Sequence, residues 1–261
     1  MPSDRSFRLK STEWVALAAM LTLLALFAWR SAAGSWAEAL IVTFIFAICG
    51  WLLRGVSTSG AMTGWMAAFI LYAGGGRRMF AVLFTVFVLT LLTTQAGRGR
   101  KQWLGVAEPR VGRSAAQVAA NLFIASAAIV VLPPALGIFL CIAALAEAAA
   151  DTVSSEIGEA FGKQTYLVTT MRPTNPGTDG GISLLGTAAG IAAAMSVAAA
   201  GLLLTDFRSA VMVAAAGALG MLMDSVLGAT FEHRGYLNNE AVNLLGTASS
   251  AALAYNLYRL I

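Results

Sequence analysis

Leu132-Pro133-Pro134-Ala135-Leu136-Gly137-Ile138-Phe139-Leu140-Cys141-Ile142-Ala143-Ala144-Leu145-Ala146-Glu147-Ala148-Ala149-Ala150-Asp151 is an apolar run that opens on a proline pair and closes on two carboxylates four residues apart. Apolar stretches of this kind are what a bilayer requires, since a helix needs roughly 20 such residues to cross the hydrocarbon core. Outward from it, similar runs bounded by Gly, Pro or charge lie near residues 14–29, 37–53, 61–73, 79–95, 116–131, 184–204, 209–227 and 241–258, which with 135–150 makes about nine. Several are short, 61–73 above all, so tilted or broken helices are expected.

Composition agrees. The 261 residues are 58% hydrophobic and only 11% charged, with mean hydropathy +0.76. That is too few charges to solvate a globular surface. The predicted class is an all-α, polytopic integral membrane bundle of about nine spans, forming one membrane-embedded domain over 1–261. A net charge of +4 reports orientation in such a protein, so no nucleic-acid partner is expected. Cys49 and Cys141 lie inside apolar runs without a second Cys or a His at ligand spacing, and read as packing residues. Arg5, Arg8 and Lys10 ahead of the 14–29 run have the outline of a signal peptide, but no small-residue cleavage site follows Trp29-Arg30, which favours a retained first span.

With the N-terminus inside, twelve of the 17 Lys and Arg fall on the cytoplasmic side: Arg5, Arg8, Lys10, Arg54, Arg98, Arg100, Lys101, Arg110, Arg113, Lys163, Arg172 and Arg234. Arg30, Arg77, Arg78, Arg208 and Arg259 fall outside. This obeys the positive-inside rule for an odd number of spans, and it implies a cytoplasmic N-terminus in a cell (inner) membrane. It also puts the long polar connections, roughly 96–115, 151–183 and 228–240, on one side. A weak repeat runs through the second half. Asp151-Thr152-Val153 precedes Leu184-Leu185-Gly186-Thr187, and Asp224-Ser225-Val226 precedes Leu244-Leu245-Gly246-Thr247. Such a repeat would set two helix pairs around one site; recurrence of a common tetrapeptide in an Ala/Leu/Gly-rich chain is the plain alternative.

The chemistry-bearing residues concentrate on that side. Glu147 and Asp151 share a helix face, and each charge left unpaired in the membrane would cost at least ~2.5 kcal/mol. A partner cation or a hydrated cavity is therefore required. Asp224 is placed alike, and Glu156 follows Asp151. Acids at one membrane depth suit a hard divalent cation with oxygen ligands, the ordinary alternative being pairing with Arg or Lys between helices. Between them, Pro176-Gly177-Thr178-Asp179-Gly180-Gly181 can turn backbone amides toward one point ahead of a helix starting near Ser183, as phosphate loops do; a tight connection would look the same. The segment Gly158–Gln164 lacks the spacing, the Ser or Thr and the strand of a P-loop. Arg110 and Arg113 lead into Gln117 and Asn121, and Arg forks bind phosphate oxygens; a basic loop on anionic lipid is the alternative. His233 reads as exposed. Asn238, Asn239, Glu240 and Asn243 suit the rim of a cavity.

Taken in order, Gly112-Arg113-Ser114 with Gln117–Asn121, Ala150-Asp151-Thr152 with Ser155-Glu156-Ile157-Gly158, Pro176–Gly181 with Ser183–Thr187, Asp224-Ser225-Val226-Leu227-Gly228-Ala229-Thr230, and Asn239-Glu240 with Val242-Asn243 resemble the transmembrane protein 19 and phytyl-phosphate kinase family, domain of unknown function 92. The resemblance covers the chain from about Gly55 onward, a family-like core over 56–261 behind less typical spans in 1–55. Val153-Ser154, Asp179 and Glu232 depart from the family pattern, and none removes a motif carboxylate. The resemblance implies phosphoryl transfer from a nucleoside triphosphate to an isoprenoid (phytyl or prenyl) monophosphate. Asp151, Glu156 and Asp224 would be the catalytic, Mg²⁺-holding acids. Arg110, Arg113, Lys163, Gly177, Thr178, Gly180 and Gly181 would bind phosphate. Gln117, Asn121, Glu147, Ser155, Ser225, Asn239 and Asn243 would line a polar pocket beside membrane lipid. A secondary transporter or lipid flippase, or a membrane nucleotidyltransferase, is the alternative, and the sequence carries no marker of oligomeric state.

Overall fold

A computed structural model describes residues 9–30 and 36–260; Arg5 and Arg8, counted above as topogenic charges, lie outside them. The helices are α1 (Ser11–Arg30), α2 (Ala37–Leu52), α3 (Thr58–Gln95), α4 (Arg98–Leu104), α5 (Ala115–Val131), α6 (Pro134–Phe161), α7 (Leu184–Gly201), α8 (Phe207–Leu227) and α9 (Asn239–Tyr258). A π-helical turn, Gly228–Glu232, continues α8. All nine predicted apolar runs fall in helices. Five helices, α1, α3, α6, α7 and α8 with its extension, are long and apolar enough to cross a bilayer, and α2 and α5 are shorter apolar helices.

The runs 61–73 and 79–95 are two arms of α3. A straight helix of its 38 residues would be about 57 Å long, nearly twice the ~30 Å of hydrocarbon it has to cross. Gly76, at φ 71° and ψ −168°, breaks it in a conformation that only a residue without Cβ adopts readily. The chain turns back there. Gly60 and Gly64 on the first arm and Leu91 and Thr94 on the second border the same space, whereas Arg77, next to the break, donates to Glu38 at the start of α2 (2.6 Å).

Hydrogen bonds fix the two ends of the bundle. At one end the Ser59 hydroxyl donates to Glu13 Oε1 (2.6 Å) and Thr94 to Glu156 Oε1 (2.7 Å). At the other, Arg30 donates to the Val131 carbonyl (3.4 Å) and Arg78 to the Leu203 carbonyl (3.2 Å). Successive apolar segments thus alternate in direction, and the 54–57, 105–114, 162–183 and 233–238 connections share the first end. At the far end Asp206 caps α8, and the Ser209 amide donating to it holds its carboxyl below the usual range.

α6 is the axis. It packs against α3, α5, α7, α8 and α9, and Cys141 to Ala146 are wholly buried. Alanine and glycine let the neighbouring backbones approach, the usual basis of helix packing where water supplies no drive. Gly217, for instance, lies where an added Cβ would be 2.8 Å from Ala146 Cβ. The outer faces carry large apolar side chains such as Ile41, Phe44 and Ile45 on α2, which suits contact with lipid rather than water.

The 162–183 connection departs from the all-helical reading. It forms a small antiparallel sheet in the order β2-β1-β3, with β1 (Thr165–Leu167) central between β2 (Pro173–Thr174) and β3 (Gly181–Ile182). Its registers pair Tyr166 with Pro173 on one side and with Ile182 on the other. This clip fastens the Gly-rich turn to the start of α7.

Candidate functional site

At the first end the bundle opens into a polar cavity of about 280 Å³, room for on the order of ten waters at ~30 Å³ each. Asp151 and Asp224, from α6 and α8, both line it. Residues of α6, α8 and α9 line this space, and Ser183 and Asn239 bring the starts of α7 and α9 to its wall. Gln117 and Arg113 bring the start of α5 as well. Each of these three helices is N-capped by a side chain, Ser114, Ser183 and Asn238 respectively. Three helix N-termini therefore direct positive dipole ends toward one cavity.

Arg113 is held by its backbone before its side chain does anything. Its amide donates to the Gly55 carbonyl (3.1 Å), its own carbonyl accepts from Ser57 (2.9 Å), and Gly60 packs directly on that carbonyl, where a Cβ would collide. The next residue, Ser114, forms a capping box with Gln117. The guanidinium reaches Thr152 (3.4 Å), Glu108 (3.8 Å) and Glu156 (3.9 Å). Gln117 donates to Glu108 (3.3 Å), and Asn121 to the Gln117 carbonyl (2.9 Å).

Glu156 differs from Asp151 and Asp224. Its carboxylate is held by the Lys101 ammonium and the Thr94 hydroxyl. Lys101 also donates to the Thr93 and Thr94 carbonyls (3.0 and 2.9 Å), so its three donors are all used. All three acids that the sequence reads as one metal set, Asp151, Glu156 and Asp224, line the cavity, and Glu156 is the one already paired, through Lys101, with α4. Among the described residues no three His, Cys, Asp or Glu side chains form a group that encloses a metal ion.

Glu147 lies one turn below Asp151, beneath the cavity rather than on its wall. Its Oε1 and Asp224 Oδ2 are buried without a hydrogen-bond partner. Both face Gly246, where an added Cβ would be 2.5 Å from the first and 2.9 Å from the second. Of the other predicted residues, Ser155, Gly177, Thr178, Gly180, Gly181, Ser225, Asn239 and Asn243 line the cavity. Gly180 (φ 71°) is required twice over, because a Cβ there would also be 2.5 Å from the Ser225 carbonyl. The loop amides are partly spent on the turn itself, since Thr178 N donates to Asn175 and Gly181 N to Thr178. Arg110 and Lys163 are exposed and stand outside the cavity wall.

Sequence reasoning missed Glu108, Glu159, Asp179 and Glu232 as wall residues. For Glu159 the signal was present, because 147, 151, 155 and 159 continue one i, i+4 row. With Asp151, Glu156 and Asp224 they make seven acids against Arg113 as the one basic residue on this wall. So acidic a space repels a phosphate unless divalent cations stand between them.

The chain belongs to the integral membrane protein family DUF92. The family's sequence profile matches residues 41–251. This DUF92 chain is 31% identical over 239 residues to an uncharacterized membrane protein of Synechocystis sp., covering 87% of this chain and 93% of the relative. It is 32% identical over 208 residues to an uncharacterized membrane protein of Methanocaldococcus jannaschii, with 78% and 87% covered. It is also 29% identical over 245 residues to Protein VTE6, chloroplastic, of Arabidopsis thaliana, with 86% and 72% covered. No solved structure matches it.

Proposed function

We propose that this protein transfers the γ-phosphoryl group of a nucleoside triphosphate to an isoprenoid monophosphate, giving the diphosphate, at the cytoplasmic face of a cell membrane. The observation that carries the reading is that Asp151 and Asp224 line one polar, one-ended cavity that Arg113 and three helix N-termini also face. The family resemblance implies the same reaction.

Two carboxylates on one cavity wall suit Mg²⁺, which is typically held by one or two acids with water and substrate phosphates completing its shell. The unpartnered Asp224 Oδ2 fits that assignment. Bound there, Mg²⁺ would neutralise and orient the donor's β- and γ-phosphates. Asp151 and Asp224 hold the donor end, and Arg113 faces the acceptor phosphate as a fixed fork. Glu156, locked by Lys101, keeps Arg113 from swinging out. No general base is needed, because the acceptor oxygen is already anionic. It attacks the γ-phosphorus, the bond to the β-phosphate oxygen breaks, and a nucleoside diphosphate leaves. Catalysis then consists of positioning and electrostatic stabilisation.

A carrier needs polar groups across the whole bilayer. Beyond Glu147 the axis toward the far end is the apolar stretch Cys141–Ala146, which favours the enzyme. The test is purified protein in detergent with Mg²⁺, labelled nucleoside triphosphates and a panel of prenyl monophosphates. Nucleoside diphosphate and prenyl diphosphate are the expected products. Release of pyrophosphate would assign a nucleotidyltransferase instead, and no turnover with any acceptor would remove the reading.

A further inference from the structure

Behind the polar cavity lies a second space with the opposite lining. It measures about 120 Å³ and runs between α2, the two arms of α3, α5 and α6. Phe46, Leu83, Phe87, Leu91, Val118 and Leu122 are its large apolar wall residues. Four residues, Arg113, Gln117, Asn121 and Thr152, border both spaces. Gln117 and Asn121 belong to the first two turns of α5, Arg113 stands two residues ahead of it, and Thr152 follows Asp151 on α6. Polar cavity and apolar groove are therefore two chambers sharing one partition, and the guanidinium of that partition is Arg113.

We infer that the apolar groove is the binding site for the hydrocarbon tail of the acceptor, with its phosphate at Arg113 and its chain running between α2, α3 and α5. This rests on the proposed phosphoryl transfer for the identity of the acceptor, while the site itself rests on the shared partition. A ligand with an anionic head and a long apolar tail is the one class that fills both chambers at once. Because the tail comes from the bilayer rather than from water, the groove adds packing contacts rather than a hydrophobic drive, and a lipid phosphate can make them where free phosphate or a sugar phosphate cannot. The reversal at Gly76 contributes directly, since it brings the second arm of α3 back to form the groove's outer wall. The tail's depth is set by small residues, of which Gly64 is the most informative. A Cβ there would meet only Val118 Cγ1, at 3.8 Å, so a larger side chain fits the backbone and fills the groove.

Two measurements test this. In the first, purified protein without nucleotide is photolabelled with a geranylgeranyl monophosphate analogue carrying a diazirine at the tail end. Labels are expected on the α2, α3 and α5 segments that wall the groove, and excess unlabelled phytyl monophosphate should suppress them. Labels scattered over the lipid-facing surfaces, or unaffected by the competitor, would mean that only bulk lipid touches this region and would overturn the assignment. This arm requires no turnover, so it stands or falls separately from the kinase reading. In the second, Gly64→Leu should lower the ratio of kcat/KM for geranylgeranyl over dimethylallyl monophosphate at least tenfold, with nucleotide KM unmoved. A ratio equal to that of the unsubstituted protein would overturn the tail assignment even with phosphoryl transfer intact.

Discussion

Two clusters built around carboxylates stand at opposite ends of the same bundle. At the far end Glu38 accepts from Arg77 Nε and from the Tyr72 hydroxyl, each at 2.6 Å, and the pair is open to solvent, with Arg77 80% and Glu38 46% exposed. At the cavity end Glu147 and Asp224 are buried, each with an oxygen that no donor reaches, and Asp151 adds a third acid beside them. An acid kept only for packing would be expected to resemble the first cluster, because an unpaired buried charge is costly and a paired exposed one is nearly neutral. The second arrangement makes sense where something cationic arrives from outside. Lys101 with Glu156 stands between the two, buried like the cavity acids and satisfied like Glu38.

This contrast can be broken by substitution. Asp151→Asn and Asp224→Asn should each lower kcat by roughly a hundred- to thousandfold while the protein stays folded and monodisperse in detergent. Activity near that of the unsubstituted protein would remove the metal-holding role. Gly246→Ala presses a methyl against both orphaned oxygens, and misplacing the acids should cost roughly ten- to hundredfold in turnover at unchanged helix content by circular dichroism. Lys101→Met acts on stability instead. It strands Glu156, and unfolding in detergent should become easier by about 3–5 kcal/mol, with most of that regained when Glu156→Leu is added. A double variant no better than the single one would show that Lys101 and Glu156 are more than a charge pair. At the small end, Glu38→Gln should leave turnover and melting temperature within error, as suits a solvent-screened pair.

Much of this was legible in the sequence because it is written in runs or in spacing. The nine apolar segments are long enough to see, and the break in α3 falls at Gly74-Gly75-Gly76-Arg77-Arg78, where glycines and charge interrupt the hydrophobic pattern. Asp151 and Asp224 were placed on one side by the alternation of spans and the shared Asp-x-Val pattern. What could not be read has tertiary causes. Arg98, Arg100 and Lys101 look alike in sequence, yet only Lys101 is wholly buried, since its ammonium inserts to Glu156 whereas Arg100 reaches the Gly162 carbonyl from the surface (2.9 Å). Arg110 and Arg113 are three residues apart, and the 54–57 loop selects which one the cavity receives. Strands of two and three residues carry no alternation to detect, so the sheet that clips the Gly-rich turn left no trace.

The reversal in α3 has a consequence for where the chain can be cut. With a single glycine as the bend and helix on both flanks, there is no connecting loop on that side for an inserted epitope or a protease to use. A truncation ending at the bend would leave Gly60 and Gly64 of the first arm without Leu91 and Thr94, which border the same space from the second.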